Sequence, residues 1–206
     1  MIITILGASG FVGSALAGCL ESMGEDVIAL KRPDFDLNNS DSFNQIPSNT
    51  EILIHAAGHV GNSQNDEHIW QTNIQSNYYL IQFINKYRKP CLVIFLSSGA
   101  VYGTQPDPVI CESPKHPENL YAVSKLLTER MFETLVESRF VILRLFFPFG
   151  PGQQPPRLIP LLIQQNVKGK KIEINTDRGL PLINPIYIDE LISQIYKVIQ
   201  KPDESY

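Results

Sequence analysis

The start of the chain carries the feature that most limits its fold. An apolar run, Ile2–Leu6, leads into Gly7, Gly10 and Gly13, and a helix-like stretch follows as far as Met23. Glycine permits positive-φ turns and close approach of a ligand to the backbone, and the start of the next helix can hold a pyrophosphate. The spacing is GxxGxxG rather than GxGxxG, and tight turns without a ligand also use glycine. The order of strand, turn and helix nevertheless predicts a dinucleotide-binding turn.

Apolar runs alternate with amphipathic stretches along the rest of the chain. Further strands are predicted at 26–30, 51–56, 92–97 and 140–146, and helices at 72–87, 118–137 and 187–200. The runs ILIHAA and CLVIFLSS are apolar almost throughout, which is typical of parallel strands covered on both faces. The predicted fold is α/β, a Rossmann-type doubly wound parallel sheet. We expect residues 1–150 to form the dinucleotide-binding domain and residues 151–206 to form a partial substrate-binding region, interleaved with the core.

Composition places the chain among globular domains and gives no sign of a nucleic-acid partner. It has 206 residues, of which 43% are hydrophobic and 18% charged, with a net charge of −4. Such a chain suits one domain with a substantial core, and it lacks the basic surplus of a nucleic-acid binder. No apolar run approaches the roughly 20 residues that cross a bilayer, so we expect a cytoplasmic protein without a membrane partner.

A phenol and an ammonium group lie four residues apart in the segment YAVSK. Tyr121 and Lys125 therefore share one face of the predicted helix 118–137. An adjacent cation lowers the pKa of a tyrosine, which would let Tyr121 exchange protons near neutral pH. A surface pair without chemistry is the alternative interpretation.

Four segments together resemble a known family. They are GASGFVG at 7–13, LSSGAVYG at 96–103, YAVSK at 121–125 and LRLFFPFGPGQ at 143–153. Their order is similar to that in extended short-chain dehydrogenases/reductases, specifically the NAD-dependent epimerase/dehydratase group, which acts mostly on nucleotide sugars. The resemblance covers nearly the whole chain. It implies an enzyme that transfers a hydride at a carbinol or keto carbon, with a nucleotide sugar as the small-molecule partner.

The resemblance implies a catalytic role for three residues. Tyr121 corresponds to the general acid/base, Lys125 to the residue that lowers its pKa and holds the nicotinamide ribose, and Ser98 to the hydroxyl that binds the reacting oxygen. Ser97 is the alternative to Ser98, and we expect it to end the strand instead. Asn73 matches a helix asparagine of the family, although a plain polar helix residue is an equal interpretation.

Cofactor contacts are implied at the ends of the first three strands. Lys31 and Arg32 stand where an NAD-specific site usually has an acid, and a guanidinium pairs well with a 2′-phosphate. We therefore favour NADP over NAD, with an ordinary basic turn as the alternative. The residues implied in cofactor binding are Gly7, Ser9, Gly10, Phe11, Val12, Gly13, Lys31, Arg32, Asp36, Leu37, Ala56, Ala57, Gly58, Asn73, Tyr121 and Lys125.

The chain departs from the family pattern near the substrate. Gly99 and Ala100 replace the Asp-Glu pair with which dehydratases eliminate water, which favours an epimerase or 4-keto reductase over a 4,6-dehydratase. The implied substrate contacts are Ser98, Tyr121 and Phe147, but Phe147 replaces an asparagine that commonly meets the substrate. Ile183 likewise replaces an arginine, and a hydrophobic side chain cannot make the hydrogen bonds of either residue. We also expect the C-terminal substrate-binding portion to be small and truncated.

The remaining conspicuous residues suggest no second chemistry. His55 and His59 lack the helix and glutamate of a zinc site, so we predict no metal. Trp70 is expected to pack against a helix, and Arg157 and Arg178 are candidate phosphate contacts or solvated cations. By resemblance we expect a homodimer through the two long helices. The alternative function is a catalytically impaired, nucleotide-sensing or regulatory binding protein.

Overall fold

The computed structural model describes residues 1–61, 67–105, 107–154, 156–171 and 183–201. Five strands form a parallel sheet and two short strands form a second one. The strands are β1 (Ile2–Leu6), β2 (Asp26–Leu30), β3 (Ile52–His55), β4 (Leu92–Ser98), β5 (Arg139–Leu145), β6 (Pro148–Phe149) and β7 (Ile186–Tyr187). The helices are α1 (Phe11–Ser22), α2 (Glu67–Ile69), α3 (Ser76–Tyr87), α4 (Leu120–Leu135), α5 (Leu158–Val167) and α6 (Ile188–Gln200).

The order of the strands creates a crevice beside β1. The large sheet has the order β2-β1-β3-β4-β5, with every pair parallel. From β1 the chain first moves outward to β2 and then crosses to β3 on the other side of β1. Ligands of doubly wound sheets bind where the order reverses in this way, at the carboxyl ends of the strands. The predicted doubly wound fold is confirmed, and the glycine turn lies at this reversal.

Each face of the large sheet has its own apolar core. Ile3, Ile5 and Ile54 pack on one face with residues of α1 and α6. Leu53 and Phe95 pack on the other face with residues of α3 and α4. Successive residues of a strand point to opposite faces, so strands buried on both sides are apolar at nearly every position. This burial explains the runs ILIHAA and CLVIFLSS.

Residues beyond position 150 complete one of these cores. The helix α6 presents Leu191, Ile195 and Ile199 to the same cluster that contains the apolar side chains of α1. The hydroxyl of Tyr196 donates a 3.0 Å hydrogen bond to Glu25, just before β2. The C-terminal segment is thus part of the main α/β layer as well as of the small sheet β6–β7.

The helix predicted at 72–87 differs from the observed one. It begins earlier, at Glu67, and its middle part, Trp70–Gln75, is a π-helix that joins α2 to α3. Hydrophobic periodicity does not distinguish a short π-helix from an α-helix, because both place apolar residues three to five positions apart. The indole of Trp70 is 58% exposed, so the prediction that it packs against a helix is wrong.

Within the described ranges, no helix is both long and apolar enough to cross a membrane.

Candidate active site

Close contacts explain why glycines occupy the turn after β1. Gly7 has a φ of +84°, and a Cβ atom there would lie 2.6 Å from the backbone nitrogen of Ala57. A Cβ atom on Gly13 would lie 2.3 Å from the carbonyl oxygen of Gly7. Both distances are too short for a side chain, so the first glycine lets β1 approach the loop after β3, and the third lets α1 approach the turn. Gly10 is the N-cap residue just before α1, and no side chain makes a capping hydrogen bond there.

A cavity of about 170 Å³ opens at the carboxyl ends of β1, β2 and β3. It lies at the reversal of strand order. The residues of the predicted cofactor site that line it are Gly7, Ser9, Gly10, Lys31, Arg32, Asp36, Leu37, Ala56, Ala57 and Gly58. The structure therefore gathers the predicted glycine turn, basic turn and small-residue loop around one space.

Other residues of the predicted cofactor site do not line this cavity. Phe11 and Val12 pack against the core between the sheet and α1. Gly13 contacts the turn, as described above. Asn73 is 1% exposed and links the loop after β3 to a side chain of α4 instead. Its Oδ1 accepts from the amide of His59 at 2.8 Å, and its Nδ2 donates to Oγ of Ser124 at 3.0 Å.

The cavity wall also contains a polar pair that the sequence did not reveal. Asn38 and Thr72 line the cavity, and Nδ2 of Asn38 donates to Oγ1 of Thr72 at 3.2 Å. Ser76 donates to Oδ1 of Asn38 at 2.9 Å. These residues are 34 and 38 positions apart in sequence. Only the fold brings the segment after β2 against the π-helix.

The residues around the cavity fit a dinucleotide. The loop Ala56–Gly58 has small side chains or none, which permits close contact with a flat ligand. A Cβ atom on Gly58 would lie 3.2 Å from Nζ of Lys125, so Gly58 separates the cavity from that ammonium group. Lys31 and Arg32 supply positive charge at the end of β2, where the ribose of a dinucleotide is expected.

Ser98 and Tyr121 meet at the carboxyl end of β4. Ser98 is the last residue of β4, and its Oγ accepts from the amide of Ala100 at 3.2 Å. Its hydroxyl is close enough to the phenol of Tyr121 to act on the pKa of that group. Burial raises the pKa of Tyr121, whereas the hydroxyl of Ser98 and the charge of Arg157 act in the lowering direction. Burial thus outweighs the lowering effects, and the charge that contributes to them is that of Arg157, so the effect of Lys125 on this phenol stays a prediction.

Lys125 is buried beside Tyr121 but points its amine at the sheet. Its Nζ donates to the carbonyl oxygen of Leu96 at 3.0 Å and lies 4.8 Å from the centre of the Phe95 ring. The centre of the Tyr121 ring is 6.0 Å away. Burial lowers the pKa of Lys125 to about 8, against an opposing effect of Glu129. Lys125 therefore changes charge nearer to neutral pH than a surface lysine does.

Ser97 has a different partner from Ser98. Its Oγ donates to Oε1 of Glu129 at 2.5 Å inside the core. Glu129 also forms an ion pair with Arg144 of β5 at 2.9 Å. The strand ends one residue later than predicted, so Ser97 lies within it, and Ser98 is the serine that meets Tyr121. Neither Glu129 nor Arg144 was in the predicted site. Glu129 lies four residues after Lys125 on α4, and that spacing could have pointed to it.

The segment after β5 has an unusual backbone. Phe147 is 51% exposed and has a φ of +36°, a region that asparagine tolerates much better than phenylalanine does. A Cβ atom on Gly99 would lie 2.3 Å from the ring of Phe146, so a larger side chain at position 99 requires that ring to move. Ile183 is 37% exposed, and Arg178 lies outside the described residues.

A larger cavity, of about 630 Å³, lies along β5 and α6. It contains none of the predicted site residues. The described part of the chain also holds no group of three or more histidine, cysteine or acidic side chains placed for a metal ion. His55 is buried in the core and donates to Asn77 at 2.6 Å.

The fold and the site agree with a family match. The description "NAD dependent epimerase/dehydratase family" applies to residues 3–206. This match covers nearly all of the chain, from the second residue of β1 through α6. The chain belongs to the NAD-dependent epimerase/dehydratase family.

Individual relatives are distant. GDP-6-deoxy-D-mannose reductase of Pseudomonas aeruginosa is 30% identical over 178 aligned residues, which cover 81% of this chain and 59% of that protein. The structure of RMD from Pseudomonas aeruginosa complexed with NADPH has a TM-score of 0.79 at 25% identity, covering 97% of this chain and 71% of that one. MoeE5 in complex with UDP-glucose and NAD has a TM-score of 0.82 at 24% identity. The match covers 99% of this chain and 73% of that one, which shows a shared fold.

Proposed function

We propose that this chain is an NAD(P)-dependent oxidoreductase or epimerase that transfers a hydride at a carbinol or keto carbon of a nucleotide sugar. The observation that carries the proposal is the placement of Ser98, Tyr121 and Lys125 together: Ser98 acts on the pKa of Tyr121, and Nζ of Lys125 lies 6.0 Å from the centre of the Tyr121 ring. Only Gly58 separates this group from the cavity. A binding protein needs neither a buried phenol nor a buried amine beside its ligand. Proton exchange with a substrate oxygen needs both a proton donor and a charge to balance it.

Each of the three residues has a separate task in this proposal. The hydroxyl of Tyr121 gives a proton to the substrate oxygen or takes one from it. The hydroxyl of Ser98 donates a hydrogen bond to that oxygen as negative charge develops there. Lys125 places a positive charge beside the phenol and favours its deprotonated form. A bound nicotinamide cofactor supplies or accepts the hydride.

Water elimination is disfavoured by the residues after Ser98. A dehydratase needs an acid and a base placed beside the departing hydroxyl, and positions 99 and 100 are Gly99 and Ala100. The ring of Phe146 fills the space next to Gly99. We therefore favour epimerisation or 4-keto reduction, which need only proton and hydride transfer.

The relatives support the class of substrate and cofactor. The reductase from Pseudomonas aeruginosa is named for a GDP-linked sugar, and MoeE5 was solved with UDP-glucose. RMD was solved with NADPH and MoeE5 with NAD. We favour NADP for this chain because Lys31 and Arg32 line the cavity at the end of β2, where a 2′-phosphate would gain a charge-assisted hydrogen bond.

We also propose a homodimer through α3 and α4. Both helices leave large apolar side chains in solvent, each between 39% and 53% exposed: Tyr78, Tyr79, Tyr87, Val123 and Leu127. Exposed apolar side chains that share one surface mark protein interfaces more often than isolated ones do. A cytoplasmic location stays a prediction.

The proposal is tested by comparing wild type with Tyr121→Phe. NADPH and NADH are first titrated into both proteins, and a panel of nucleotide sugars is then screened for a change in nicotinamide absorbance. We expect the variant to bind cofactor as wild type does and to lose about 100-fold or more in turnover, the usual contribution of a general acid. Full turnover by the variant would remove Tyr121 from the mechanism. Failure of wild type to bind either cofactor would overturn the whole proposal.

A nucleotide-sensing protein without turnover is the second candidate. It is favoured by one observation, the exposed Phe147 where the family has a hydrogen-bonding asparagine. The same titrations separate the two functions, because a sensor binds cofactor and converts no sugar of the panel.

A further inference from the structure

A buried carboxylate lies on the helix face that carries the proposed catalytic pair. Tyr121, Lys125 and Glu129 follow one another at intervals of four residues on α4, so their side chains share one face. Lys125 is 6% exposed and Glu129 is completely buried. The chemistry proposed above does not use Glu129. A carboxylate is nevertheless costly to bury unless other groups compensate its charge.

The compensation comes from the sheet under α4. Arg144 donates from Nε to Oε1 of Glu129 at 3.0 Å and from Nη2 to Oε2 at 2.9 Å. Ser97 donates to Oε1 at 2.5 Å. Ser97 and Arg144 are paired residues of β4 and β5, so their side chains leave the sheet on the same face. The carboxylate of Glu129 is thus held by two strands at once.

Arg144 is itself held in position from its far side. Its Nη1 donates to the hydroxyl of Tyr102 at 2.9 Å, and its guanidinium lies 5.3 Å from the centre of the Tyr102 ring. Its pKa is raised, mainly by the bond to Glu129. A guanidinium fixed at both ends neutralises the carboxylate without moving away from it.

Other groups around Lys125 carry little competing charge. On β3, burial lowers the pKa of His55 to about 4, so its ring is neutral at physiological pH. On β4, the neighbours are the Leu96 carbonyl and the Phe95 ring. On α4 itself, burial keeps Tyr121 protonated. Among the described residues, the negative charge that acts on Lys125 is that of Glu129, one helical interval further along the same face of α4.

We propose that Glu129, four residues after Lys125 on the same buried face of α4, is a positioning residue that keeps Lys125 charged, and that Arg144 limits the strength of that effect. The inference rests on the proposed role of Lys125 and deepens it. Without Glu129, burial alone acts on Lys125, and the amine loses its proton nearer to neutral pH. Without Arg144, the uncompensated carboxylate holds that proton more firmly. Ser97 of β4 takes part as well, because its hydroxyl donates to the carboxylate of Glu129.

The test is an NMR titration of lysine side chains in the full chain, labelled with ¹³C and ¹⁵N on lysine. Lys125→Met identifies the signal of Lys125. We expect Glu129→Gln to lower the measured pKa of Lys125, and Arg144→Met to raise it, each by about one pH unit. In the Glu129→Gln background, Arg144→Met should produce no further change, because the effect of Arg144 passes through the carboxylate.

A matched control lies on the same helix. Arg130 pairs with Glu133 at the surface of α4, where the Arg130 side chain is 60% exposed. Arg130→Met should leave the pKa of Lys125 unchanged. Should Arg144→Met fail to fold, Ser97→Ala removes a smaller part of the compensation, and it should raise the pKa of Lys125 in the same direction.

An unchanged Lys125 signal in Glu129→Gln overturns the inference, as does a shift no larger than that of the control. The titration needs neither cofactor nor substrate. Its outcome is therefore independent of the Tyr121→Phe experiment, which tests the proposed function.

Discussion

Nε2 of His55 donates a 2.6 Å hydrogen bond to Oδ1 of Asn77 in the interior of the protein. The direction of this bond follows from the other end of the amide. Nδ2 of Asn77 donates to the carbonyl oxygen of Asn73 at 2.8 Å, which leaves Oδ1 to face the ring. The ring therefore carries its proton on Nε2, and Nδ1 is buried without a hydrogen-bond partner. A second proton on this ring would add a charge where nothing compensates it.

The first prediction concerns stability at low pH. Burial lowers the pKa of His55 from 6.5 to about 4, and a depressed pKa means that the folded state favours the neutral ring. This contribution to stability is present above pH 6.5 and is lost as the pH falls from 6.5 towards 4. It amounts to about 3 kcal/mol at most, on the scale of 1.4 kcal/mol per pH unit.

Urea unfolding between pH 7.5 and 4 measures the effect. His55→Gln, which keeps a donor for Asn77, should flatten the decrease in the free energy of unfolding. His116 is exposed, so His116→Gln should leave the decrease as it is in wild type. Identical pH profiles for His55→Gln and wild type would show that His55 does not stay neutral in the folded protein.

The two neighbouring serines should respond differently to substitution. Ser98→Ala removes a donor to the reacting oxygen, so we expect turnover to fall about 100-fold with NADPH affinity unchanged. Ser97→Ala removes a bond to the buried Glu129 and should lower the free energy of unfolding by about 1–3 kcal/mol. Steady-state kinetics and urea unfolding on both variants check this. A larger loss of turnover in Ser97→Ala than in Ser98→Ala would reverse the assignment.

Arg32→Ser tests the cofactor preference. If the guanidinium pairs with a 2′-phosphate, the variant should bind NADPH about tenfold or more weakly and NADH with unchanged affinity. Fluorescence titration of both nucleotides gives the ratio. Lys86→Ser makes the same change of charge on an exposed part of α3 and should leave both affinities unaltered. An equal loss of affinity for NADPH and NADH would mean that Arg32 does not bind the 2′-phosphate.

The dimer is tested by placing a charge in the proposed interface. Leu127 is 39% exposed on α4, and burying a carboxylate there against a second copy would be costly. Light scattering should give a dimer for wild type and a monomer for Leu127→Glu. Ile163 is 60% exposed on α5, and Ile163→Glu should remain dimeric. A monomeric wild type at high concentration excludes the proposed pairing.

The sequence predicted the elements of the fold best where burial is continuous. The strand predicted at 92–97 ends one residue before the observed Leu92–Ser98, and the strand predicted at 140–146 is displaced by one residue from the observed Arg139–Leu145. Apolar runs mark such strands directly, because both of their faces are covered. The π-helix Trp70–Gln75 was not predicted, since its hydrogen-bond pattern depends on what packs around it rather than on local propensity.

The candidate site was predictable where residues act through short sequence spacing. The glycine turn and the pair Tyr121–Lys125 were found in this way. The contact between Glu129 and Arg144 joins two elements, and the pair Asn38–Thr72 depends on a tertiary approach, so neither follows from spacing. For a related reason, the sequence predicted a lowered pKa for Tyr121, whereas burial raises it. A pattern shows which charges are near, but only the fold shows how deeply a group is buried.

The π-helix ahead of α3 makes chain length a determinant of the cavity wall. A π-turn contains one residue more than an α-turn, so deleting a single codon within Trp70–Gln75 would rotate the preceding side chains around the helix axis and leave α3 where it is. Thr72, which lines the cavity, would then face elsewhere. Evolution can therefore alter this wall through a one-residue change in length, without replacing any residue that touches the ligand.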